Sequence, residues 1–547
     1  MKRTVGIGHQ DFEYIREHNL FYIDKTGFLT EWWQSNDSVT LITRPRRFGK
    51  TLNMSMTEKF FSVDYSGRQD LFEGLFVWEK EEFRELQGTC PVISFSFENI
   101  KEKDYDTARR KICQILTNLY SQYNFICQSN ILDNRERAFF ESVSADMDDV
   151  TATMAVHQLS LFLSRFYKKK VIILLDEYDT PMQEAYINGY WEEITGFMRS
   201  LLNATFKTNP YMERAILTGI TRISRESIFS DLNNLKVITA TSEKYADCFG
   251  FTEKEVFSAL DEFGLSDRKE EVKEWYDGFT FGNRKDIYNP WSVLNYLDTQ
   301  KVAAYWANSS ANGLVEKLLR EGGRGVKQDF EKLMKPENLT VEIDEAINYE
   351  QLSVKKNAVW SLLLAGGYLK AVKTEFQSDT GRWYYTLSLT NREVYGMFEN
   401  MIRAWFSDSE ERYSDFNMEQ IWEKLYHSAK SVLNPRKVSE IIEAGGVAAA
   451  IEASSGKIYT GVCIDTACTL GICAERNAIF NMITNGENAI RRVIAINWDG
   501  KAMAPCGACR ELMTQLMPKE YKNVEVMLDY DNNRIVTLGE LTPEWWI

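Results

Sequence analysis

The spacing of the cysteines narrows the folds open to this chain more than any other feature does. Five of its nine cysteines lie between Cys463 and Cys509, near the C-terminus of 547 residues. Three of these five cysteines lie in two short motifs, here called the cysteine groups: Cys473-Ala474-Glu475 and Pro505-Cys506-Gly507-Ala508-Cys509. Three thiolates can hold a zinc ion and leave its fourth position for water. A fold that brings the groups together would therefore form a metal site with Cys473, Cys506 and Cys509 as ligands.

Glu475 distinguishes a catalytic from a structural metal site. A lone Cys-x-x-Cys is also typical of a redox pair or of half a structural zinc site. A structural site would need a fourth protein ligand, for which Cys463 and Cys468 are candidates, but neither would explain the Cys-x-Glu group. In a hydrolytic deamination, zinc lowers the pKa of its water, and the glutamate moves protons to the ring nitrogen and to the leaving ammonia. The sequence therefore predicts catalytic zinc with Glu475 as general acid and base.

Both cysteine groups precede helical patterns. Apolar periodicity predicts amphipathic helices over 474–483 and 507–516. The cysteines would then lie at helix N-termini, where the helix dipole favours thiolate. Three thiolates on one divalent ion leave the site negatively charged. We therefore expect Arg476 or Arg510 to donate a hydrogen bond to a ligand sulfur.

A second motif lies near the N-terminus, after a short apolar strand over 38–43 and before a helical stretch from Leu52. It reads Arg44-Pro45-Arg46-Arg47-Phe48-Gly49-Lys50-Thr51. A strand, a tight turn, Gly-Lys-Thr and a helix form a cradle whose backbone N–H groups face phosphates. Lys50 would reach the β and γ oxygens of ATP and Thr51 would bind Mg²⁺, with Arg47, Phe48 and Gly49 completing the loop. Arg44 stands where such loops usually have their first glycine.

Two acids after a buried strand support the phosphate loop. The apolar run 171–175 ends in Asp176 and Glu177, which would hold Mg²⁺ and polarise an attacking water, respectively. A third apolar strand over 215–219 ends in a polar residue, where a phosphate sensor could lie. The alternative is three buried strands with ordinary turn residues. The order and spacing favour a P-loop fold that binds a nucleotide.

The N-terminal motifs carry a resemblance to a known family. Residues 1 to about 405 resemble the AAA-ATPase-like family of bacterial proteins, in which the Arg-Pro-Arg-Arg-Phe-Gly-Lys loop is usual. The matching stretches are 22–26, 44–51, 175–179, 218–220, 229–234 and 276–279. Members commonly carry a PD-(D/E)XK nuclease-like domain at the C-terminus, and a different domain takes that place here.

The C-terminal block resembles the cytidine deaminase superfamily in both cysteine groups and in the glycine-flanked strand 456–462. The resemblance implies a mixed sheet with the two zinc-bearing helices on one face, and dimers or tetramers. Three positions depart from the family pattern. Gly445 replaces an aromatic residue that packs on the pyrimidine, and Cys463 and Asp465 replace the Asn and Glu that hold the ribose hydroxyl. Related enzymes that deaminate blasticidin S also depart from the ribose pattern.

These observations predict a multi-domain α/β protein. A P-loop AAA-ATPase-like domain with a parallel sheet spans 1–248, a helical middle domain 249–406, a linker 407–416, and a cytidine deaminase-like α/β/α zinc domain 417–547. The 44% hydrophobic and 26% charged residues are typical of folded chains. No apolar stretch is long enough to cross a bilayer, and the N-terminus lacks the core of a signal peptide, so we expect no membrane contact and a cytoplasmic location.

The predicted function is zinc-dependent deamination of a cytosine nucleoside or analogue, with Cys463 and Asp465 as substrate contacts and an ATP- and Mg²⁺-binding regulatory domain. The expected partners are the substrate, ATP and further copies of the chain. A net charge of −15 does not indicate nucleic-acid binding, although a local groove could be basic. The alternatives are an ATP-controlled defence effector that deaminates nucleotides or single-stranded nucleic acid, a blasticidin-type deaminase, and a non-catalytic nucleotide sensor.

Overall fold

The computed structural model describes residues 3–223, 229, 232–307, 313–335, 337–344, 356–379, 381–407 and 410–545. They form two compact units, Met1–Met401 and Ile402–Ile547. No helix in the described part of the chain is long and apolar enough to cross a membrane.

A parallel sheet of five buried strands forms the centre of the first unit. Its strands are β1 (Val39–Thr43), β2 (Val92–Ser96), β3 (Val171–Asp176), β4 (Met212–Gly219) and β5 (Leu235–Ile238). They lie in the order β2-β3-β4-β1-β5, and every neighbouring pair is parallel. A parallel sheet is covered on both faces, which is why β1 and β3 are buried along their whole length and are nearly continuous apolar runs. The carboxyl ends of β1, β3 and β4 therefore meet at one edge, where the predicted nucleotide residues lie.

Ten helices occur among the described residues up to about 210. They are α1 (Phe12–Glu17), α2 (Gly27–Ser35), α3 (Lys50–Phe61), α4 (Glu81–Leu86), α5 (Tyr105–Gln122), α6 (Asn124–Gln128), α7 (Asn134–Ser142), α8 (Asp149–Tyr167), α9 (Thr180–Asn188) and α10 (Trp191–Phe206). Single 3-10 turns occupy Val63–Tyr65, Gln69–Leu71 and Phe76–Glu79. Helix α3 begins at Lys50 rather than at Leu52, directly after the phosphate loop.

The middle region is rich in helices, as predicted, but it also contains strands. Its helices are α11 (Glu253–Glu262), α12 (Lys269–Tyr276), α13 (Pro290–Thr299), α14 (Gly313–Glu321), α15 (Arg324–Met334), α16 (Lys356–Ala365) and α17 (Arg392–Ser407). Two three-stranded antiparallel sheets consist of β6 (Phe251–Thr252), β7 (Phe279–Phe281) and β8 (Arg284–Tyr288), and of β9 (Leu339–Glu342), β10 (Leu369–Gln377) and β11 (Arg382–Leu389). Most of β10 is exposed, so its sequence lacks the apolar alternation that would indicate a strand.

The second unit is a mixed sheet between helical layers. Its elements are α18 (Glu410–Val432), β12 (Arg436–Lys437), β13 (Ile442–Ala453), β14 (Ile458–Thr466), α19 (Ala474–Thr484), β15 (Ile490–Asn497), β16 (Ala502–Met503), α20 (Gly507–Leu516), β17 (Glu525–Asp529), β18 (Arg534–Thr537) and α21 (Leu538–Leu541). The predicted linker 407–416 is mostly helical, because Ser407 ends α17 and α18 begins at Glu410. Its charged residues are good helix formers, and composition alone does not separate them from a linker.

The alternation of side chains along β13 defines the two faces of this sheet. Ala449 and Ile451 pack in one cluster with residues of α19 and α20. Ala448 and Ala450 point the other way and pack with Trp422 and other residues of α18. The two helices that carry the cysteine groups therefore lie on one face of the sheet, which confirms the predicted α/β/α arrangement.

Candidate active site and phosphate loop

Three cysteine thiols converge at the starts of α19 and α20. Cys473 is the N-cap of α19, Cys506 is the N-cap of α20, and Cys509 lies in the first turn of α20. The sulfur of Cys506 lies 3.5 Å from the sulfur of Cys473 and 3.5 Å from that of Cys509. A tetrahedral site with Zn–S bonds of about 2.3 Å would place its sulfurs about 3.8 Å apart. The donor set and its spacing therefore fit a zinc ion.

The position of α19 depends on its close packing against β14. A Cβ atom on Gly461 would lie 2.3 Å from the backbone nitrogen of Ala478, so only glycine permits this contact. The side chains of Asn477 and Asn481, one turn apart on α19, donate to the carbonyls of Val462 (2.9 Å) and Thr460 (3.1 Å) on β14. Neither asparagine is among the site residues predicted from the sequence. Their spacing of one helical turn was the available signal.

Glu475 lies beside the thiols in the first turn of α19 and is only 5% exposed. Burial raises the pKa of its carboxyl, which hydrogen bonds with its own backbone N–H and with Cys509 partly oppose. A carboxyl in this position can hold a proton away from bulk solvent. The structure thus places the predicted acid and base next to the three predicted ligands.

The thiols differ in their electrostatic environment. Burial raises the pKa of Cys473 and of Cys509. Burial is also the largest influence on Cys506, but hydrogen bonds from the backbone and side chain of Cys509 outweigh it and lower the pKa of Cys506. Backbone N–H groups of Cys509 and Ala508 favour the charged form of Cys506, whereas burial and the neighbouring Cys506 thiol dominate at the other N-cap, Cys473.

Of the two arginines considered, only Arg476 approaches a ligand. Its Nη2 lies 3.8 Å from the sulfur of Cys473, whereas Arg510 donates to the carbonyls of Pro505 (2.8 Å) and Leu541 (3.1 Å). Arg476 can therefore offset negative charge at the thiols, and Arg510 instead ties α20 to the C-terminal segment.

The predicted substrate residues lie together on β14. The sulfur of Cys463 accepts from the backbone N–H of Val447 at 3.2 Å and lies 3.5 Å from Oδ2 of Asp465. Backbone bonds between Ile464 and Ile472 tie this stretch to the segment that leads to Cys473. Gly445 has a φ of +85°, and a Cβ there would lie 2.0 Å from the carbonyl oxygen of Asn434. This backbone excludes an aromatic side chain at position 445.

The phosphate loop joins β1 to α3 in the first unit. Gly49 is the N-cap of α3 and has a φ of +79°, which glycine adopts readily. Lys50 is buried and donates to the carbonyls of Arg44 (3.2 Å) and Pro45 (3.1 Å), so its amine lies within the curve of the loop. The side chain of Phe48 packs against aromatic rings of the middle region, Phe279 among them, and only its backbone can contact a phosphate.

The acids that end β3 reach the loop. Glu177 lies 3.6 Å from Nζ of Lys50. Asp176 accepts from the hydroxyl of Thr51 at 2.6 Å and also from that of Thr218 on β4. Burial, followed by the charge of Glu177, raises the pKa of Asp176. Thr218 is the polar residue at the end of the third strand, and its hydroxyl is directed at this acid.

A cavity of about 560 Å³ opens along the loop. Lys50, Thr51, Glu177 and the loop residues Arg47, Phe48 and Gly49 line one part of it. Apolar side chains, including Phe21, Phe251 and Leu294, also line it. The cavity thus combines a cation and backbone N–H groups of the loop with apolar surface, as a nucleotide requires.

The comparisons with known proteins match both units. The family described as Predicted AAA-ATPase matches residues 6–229, and the family described as Cytidine and deoxycytidylate deaminase zinc-binding region matches residues 423–524. An uncharacterized protein in the vnfD 5′ region of Azotobacter chroococcum is 28% identical over 323 residues, which are 58% of this chain and 57% of that protein. The chain thus spans little more than half of that relative's length.

Relatives of the second unit include cytidine deaminases and a blasticidin-S deaminase from Bacillus cereus. One from Halalkalibacterium halodurans is 33% identical over 99 residues, which are 18% of this chain and 74% of that protein. The crystal structure of a cytidine deaminase from Burkholderia pseudomallei is 27% identical and has a TM-score of 0.20, with 23% of this chain and 98% of that chain covered. The two family matches and the relative from Halalkalibacterium halodurans show that the chain carries a predicted AAA-ATPase domain at its N-terminus and belongs, through its C-terminal domain, to the cytidine deaminase family.

Proposed function

We propose that the C-terminal domain is a zinc-dependent hydrolase that removes the exocyclic amine of a cytosine nucleoside or of a cytosine-bearing analogue. The observation that carries this proposal is the position of Glu475, buried beside the thiols of Cys473, Cys506 and Cys509. A purely structural metal site would have no use for a buried, proton-holding carboxyl next to its ligands.

The three thiols would hold the ion, and Arg476 would offset part of their charge. Bound zinc supplies a water molecule whose pKa is lowered toward neutrality. Glu475 takes a proton from the attacking water and delivers it to the ring nitrogen, which makes the ring carbon more electrophilic. The water oxygen adds to this carbon, and Glu475 takes the remaining proton of that hydroxyl and passes it to the amine. The carbon–nitrogen bond then breaks, the carbonyl forms and the amine leaves as ammonia. Exclusion of solvent around Glu475 keeps each proton at the reacting atoms.

The residues at positions 445, 463 and 465 bear on the substrate class. A thiol at position 463 is a poor hydrogen-bond donor, and Asp465 is one methylene shorter than a glutamate. Because Gly445 cannot be replaced by an aromatic residue on this backbone, position 445 supplies no ring to pack on the pyrimidine. These features favour an analogue such as blasticidin S as a second candidate beside cytidine and deoxycytidine.

Ammonia release tests the proposal. Zinc-loaded protein is incubated with cytidine, deoxycytidine, deoxycytidine monophosphate, blasticidin S and single-stranded DNA, with Glu475→Gln as the matched control. We expect release from at least one cytosine compound, loss of activity in the control and loss on zinc chelation. Tight binding of a cytosine ligand without turnover would instead support a non-catalytic sensor, and turnover of DNA alone would support the effector alternative.

For the N-terminal domain we infer that ATP and Mg²⁺ bind at the phosphate loop and regulate the deaminase. Lys50, Thr51 and Glu177 on the cavity wall support this inference. Lys50→Ala is expected to abolish ATP binding and to remove any effect of ATP on ammonia release. If ATP changes the rate in neither protein, the regulatory part is wrong. Hydrolysis of ATP, a cytoplasmic location and homo-oligomerisation stay predictions.

A further inference from the structure

One carbonyl of the phosphate loop is held from the middle region, outside residues 6–229 that match the ATPase family. The oxygen of Arg46 accepts from the indole N–H of Trp306 at 3.0 Å and from the side-chain amide of Asn289 at 3.4 Å. Both donors are buried, with Asn289 at 0% and Trp306 at 3% exposure. The peptide that precedes Arg47 is therefore oriented by residues more than 200 positions away along the chain.

The carboxylate of Glu393 holds the backbone of Trp306 directly and the side chain of Asn289 through Ser292. One oxygen of Glu393, at the start of α17, accepts from the backbone N–H groups of Trp306 (2.6 Å) and Ala307 (3.4 Å). Its other oxygen accepts from the hydroxyl of Ser292 at 2.9 Å. The backbone N–H of Ser292 in turn donates to the side chain of Asn289 at 3.2 Å, which caps α13.

Burial makes this arrangement costly unless its polar groups are paired. Glu393 is fully buried, and a buried carboxyl without hydrogen-bond partners costs several kcal/mol. An apolar residue at this position would remove the acceptor that two backbone N–H groups and a hydroxyl share. The ring of Trp306 is additionally packed against Phe279 and Tyr368, so a shift of its backbone would move the indole N–H relative to Arg46.

The start of α13 also contacts Arg47, the next residue of the phosphate loop. The guanidinium of Arg47 lies 4.5 Å from the ring centre of Trp291, whose backbone N–H is capped by Asn289 at 2.9 Å. Glu393 therefore acts, through α13 and Trp306, on two consecutive residues of the loop.

We propose that Glu393 is a positioning residue for the nucleotide site: it holds Trp306 and α13 so that the Arg46–Arg47 part of the phosphate loop keeps its binding conformation. This inference rests on the proposed binding of ATP at the loop. Glu393 itself contacts no phosphate in this arrangement. Its effect passes through the indole of Trp306 and the cap residue Asn289.

The test is isothermal titration of the full-length protein with ATP at fixed Mg²⁺. Glu393→Ala removes all three acceptor contacts and is expected to weaken ATP binding about tenfold. Trp306→Phe keeps a packed ring but loses the indole N–H, and is expected to weaken binding about fivefold. Glu393→Gln retains an oxygen for the backbone N–H groups, and its amide can donate to Ser292, so it is expected to restore affinity to within about twofold of wild type.

A double-mutant cycle separates positioning from general stability. If Glu393 acts through Trp306, the Glu393→Ala/Trp306→Phe protein binds ATP no more than about twofold more weakly than Glu393→Ala alone. Tyr296→Phe is the matched control, because it removes a bond from α13 to Glu271 (3.1 Å) that is independent of the loop. It is expected to leave ATP affinity unchanged.

The outcomes distinguish the inference from the function on which it rests. Wild-type affinity in Trp306→Phe overturns the inference, even if Glu393→Ala does not fold. Losses that multiply in the double variant also overturn it. If wild-type protein binds no ATP, the nucleotide function itself is wrong and the inference falls with it. ATP binding by the wild type with unchanged variants leaves the function standing and removes Glu393 from it.

Discussion

The hydroxyl of Thr51 donates to Oδ2 of Asp176 at 2.6 Å, which joins the start of α3 to the carboxyl end of β3. The other oxygen of Asp176 accepts from Thr218 on the intervening strand β4. The ends of two neighbouring strands and the start of α3 thus meet at one acid. The pair Thr51 and Asp176 offers the hydroxyl and carboxylate oxygens that Mg²⁺ prefers.

Replacement of Thr51 should therefore affect ATP binding only when Mg²⁺ is present. Thr51→Val keeps the shape of the side chain but removes the oxygen, and we expect about tenfold weaker binding of Mg²⁺–ATP. Binding of ATP in excess EDTA should be unchanged, and Thr51→Ser should behave as wild type in both conditions. Titration calorimetry with and without Mg²⁺ measures this. An equal loss in EDTA would show that Thr51 does not act through the metal.

Replacement of Gly461 should destabilise the second unit through a steric clash. The added Cβ of Gly461→Ala would lie 2.3 Å from the nitrogen of Ala478 and 2.7 Å from the carbonyl of Ala474, so α19 must shift away from β14. We expect a loss on the order of 3 kcal/mol in the free energy of unfolding and weaker zinc retention. Urea unfolding and metal analysis measure the two effects.

Gly456→Ala is the control for Gly461. Gly456 has a φ of +85°, but nothing lies within 4 Å of the place that a Cβ atom would take, so alanine there costs only about 1 kcal/mol of backbone strain. If Gly461→Ala lowers the free energy of unfolding less than Gly456→Ala does, α19 can shift away from β14 at little cost.

Local patterns in the sequence predicted which candidate residues lie together in the structure, because both kinds of motif combine a strand or helix end with residues at fixed spacing. Cys473 and Cys506 directly precede helices in the sequence, and the structure places them at the two N-caps. The acids after the apolar run 171–175 likewise lie at the carboxyl end of β3, next to the phosphate loop. Periodicity and spacing are local properties, so one sequence suffices to read them.

Contacts between distant residues could not be predicted in this way. Arg476 and Arg510 follow a cysteine ligand at similar spacing, and only the folded chain shows that Arg476 approaches a sulfur. Phe48 lies in the phosphate loop, yet its ring packs against that of Phe279, which is more than 200 residues away along the chain. The role of Glu393 depends on three segments that have no common sequence pattern.

Removal of the Arg476 side chain should weaken the zinc site. Its guanidinium lies 3.8 Å from the sulfur of Cys473, where it would offset the negative charge of the thiolates in the proposed zinc site. We expect Arg476→Ala to lower turnover about tenfold and to release zinc at a lower chelator concentration, with Arg476→Lys intermediate because the cation remains. Metal content and ammonia release measure these effects.

Arg510→Ala tests whether any cation near the thiols can offset their negative charge. Because Arg510 donates to Pro505 and Leu541 and not to a ligand sulfur, its loss should reduce stability more than zinc affinity. If Arg476→Ala leaves zinc affinity and turnover unaltered, Arg476 has no role at the zinc site.

The stability of the first unit should depend on pH through Glu393. Burial raises the pKa of this carboxyl from 4.5 in the unfolded chain to about 7 in the fold. Below pH 4.5 both states hold the proton and the stability is fully present. As the pH rises toward 7, the unfolded chain loses its proton while the folded chain keeps it, so the free energy of unfolding falls. The pKa difference of about 2.5 corresponds to on the order of 3 kcal/mol.

Glu393→Gln cannot titrate and should lack this fall. The measurement is urea unfolding of wild type and Glu393→Gln at several pH values from 4.5 to 8, because the difference between the two curves cancels all other titrating groups. We expect the wild type to lose stability relative to the variant across this window and to level off above pH 7. A difference that stays constant with pH would show that Glu393 has an ordinary pKa, with its charge stabilised by the N–H groups of Trp306 and Ala307.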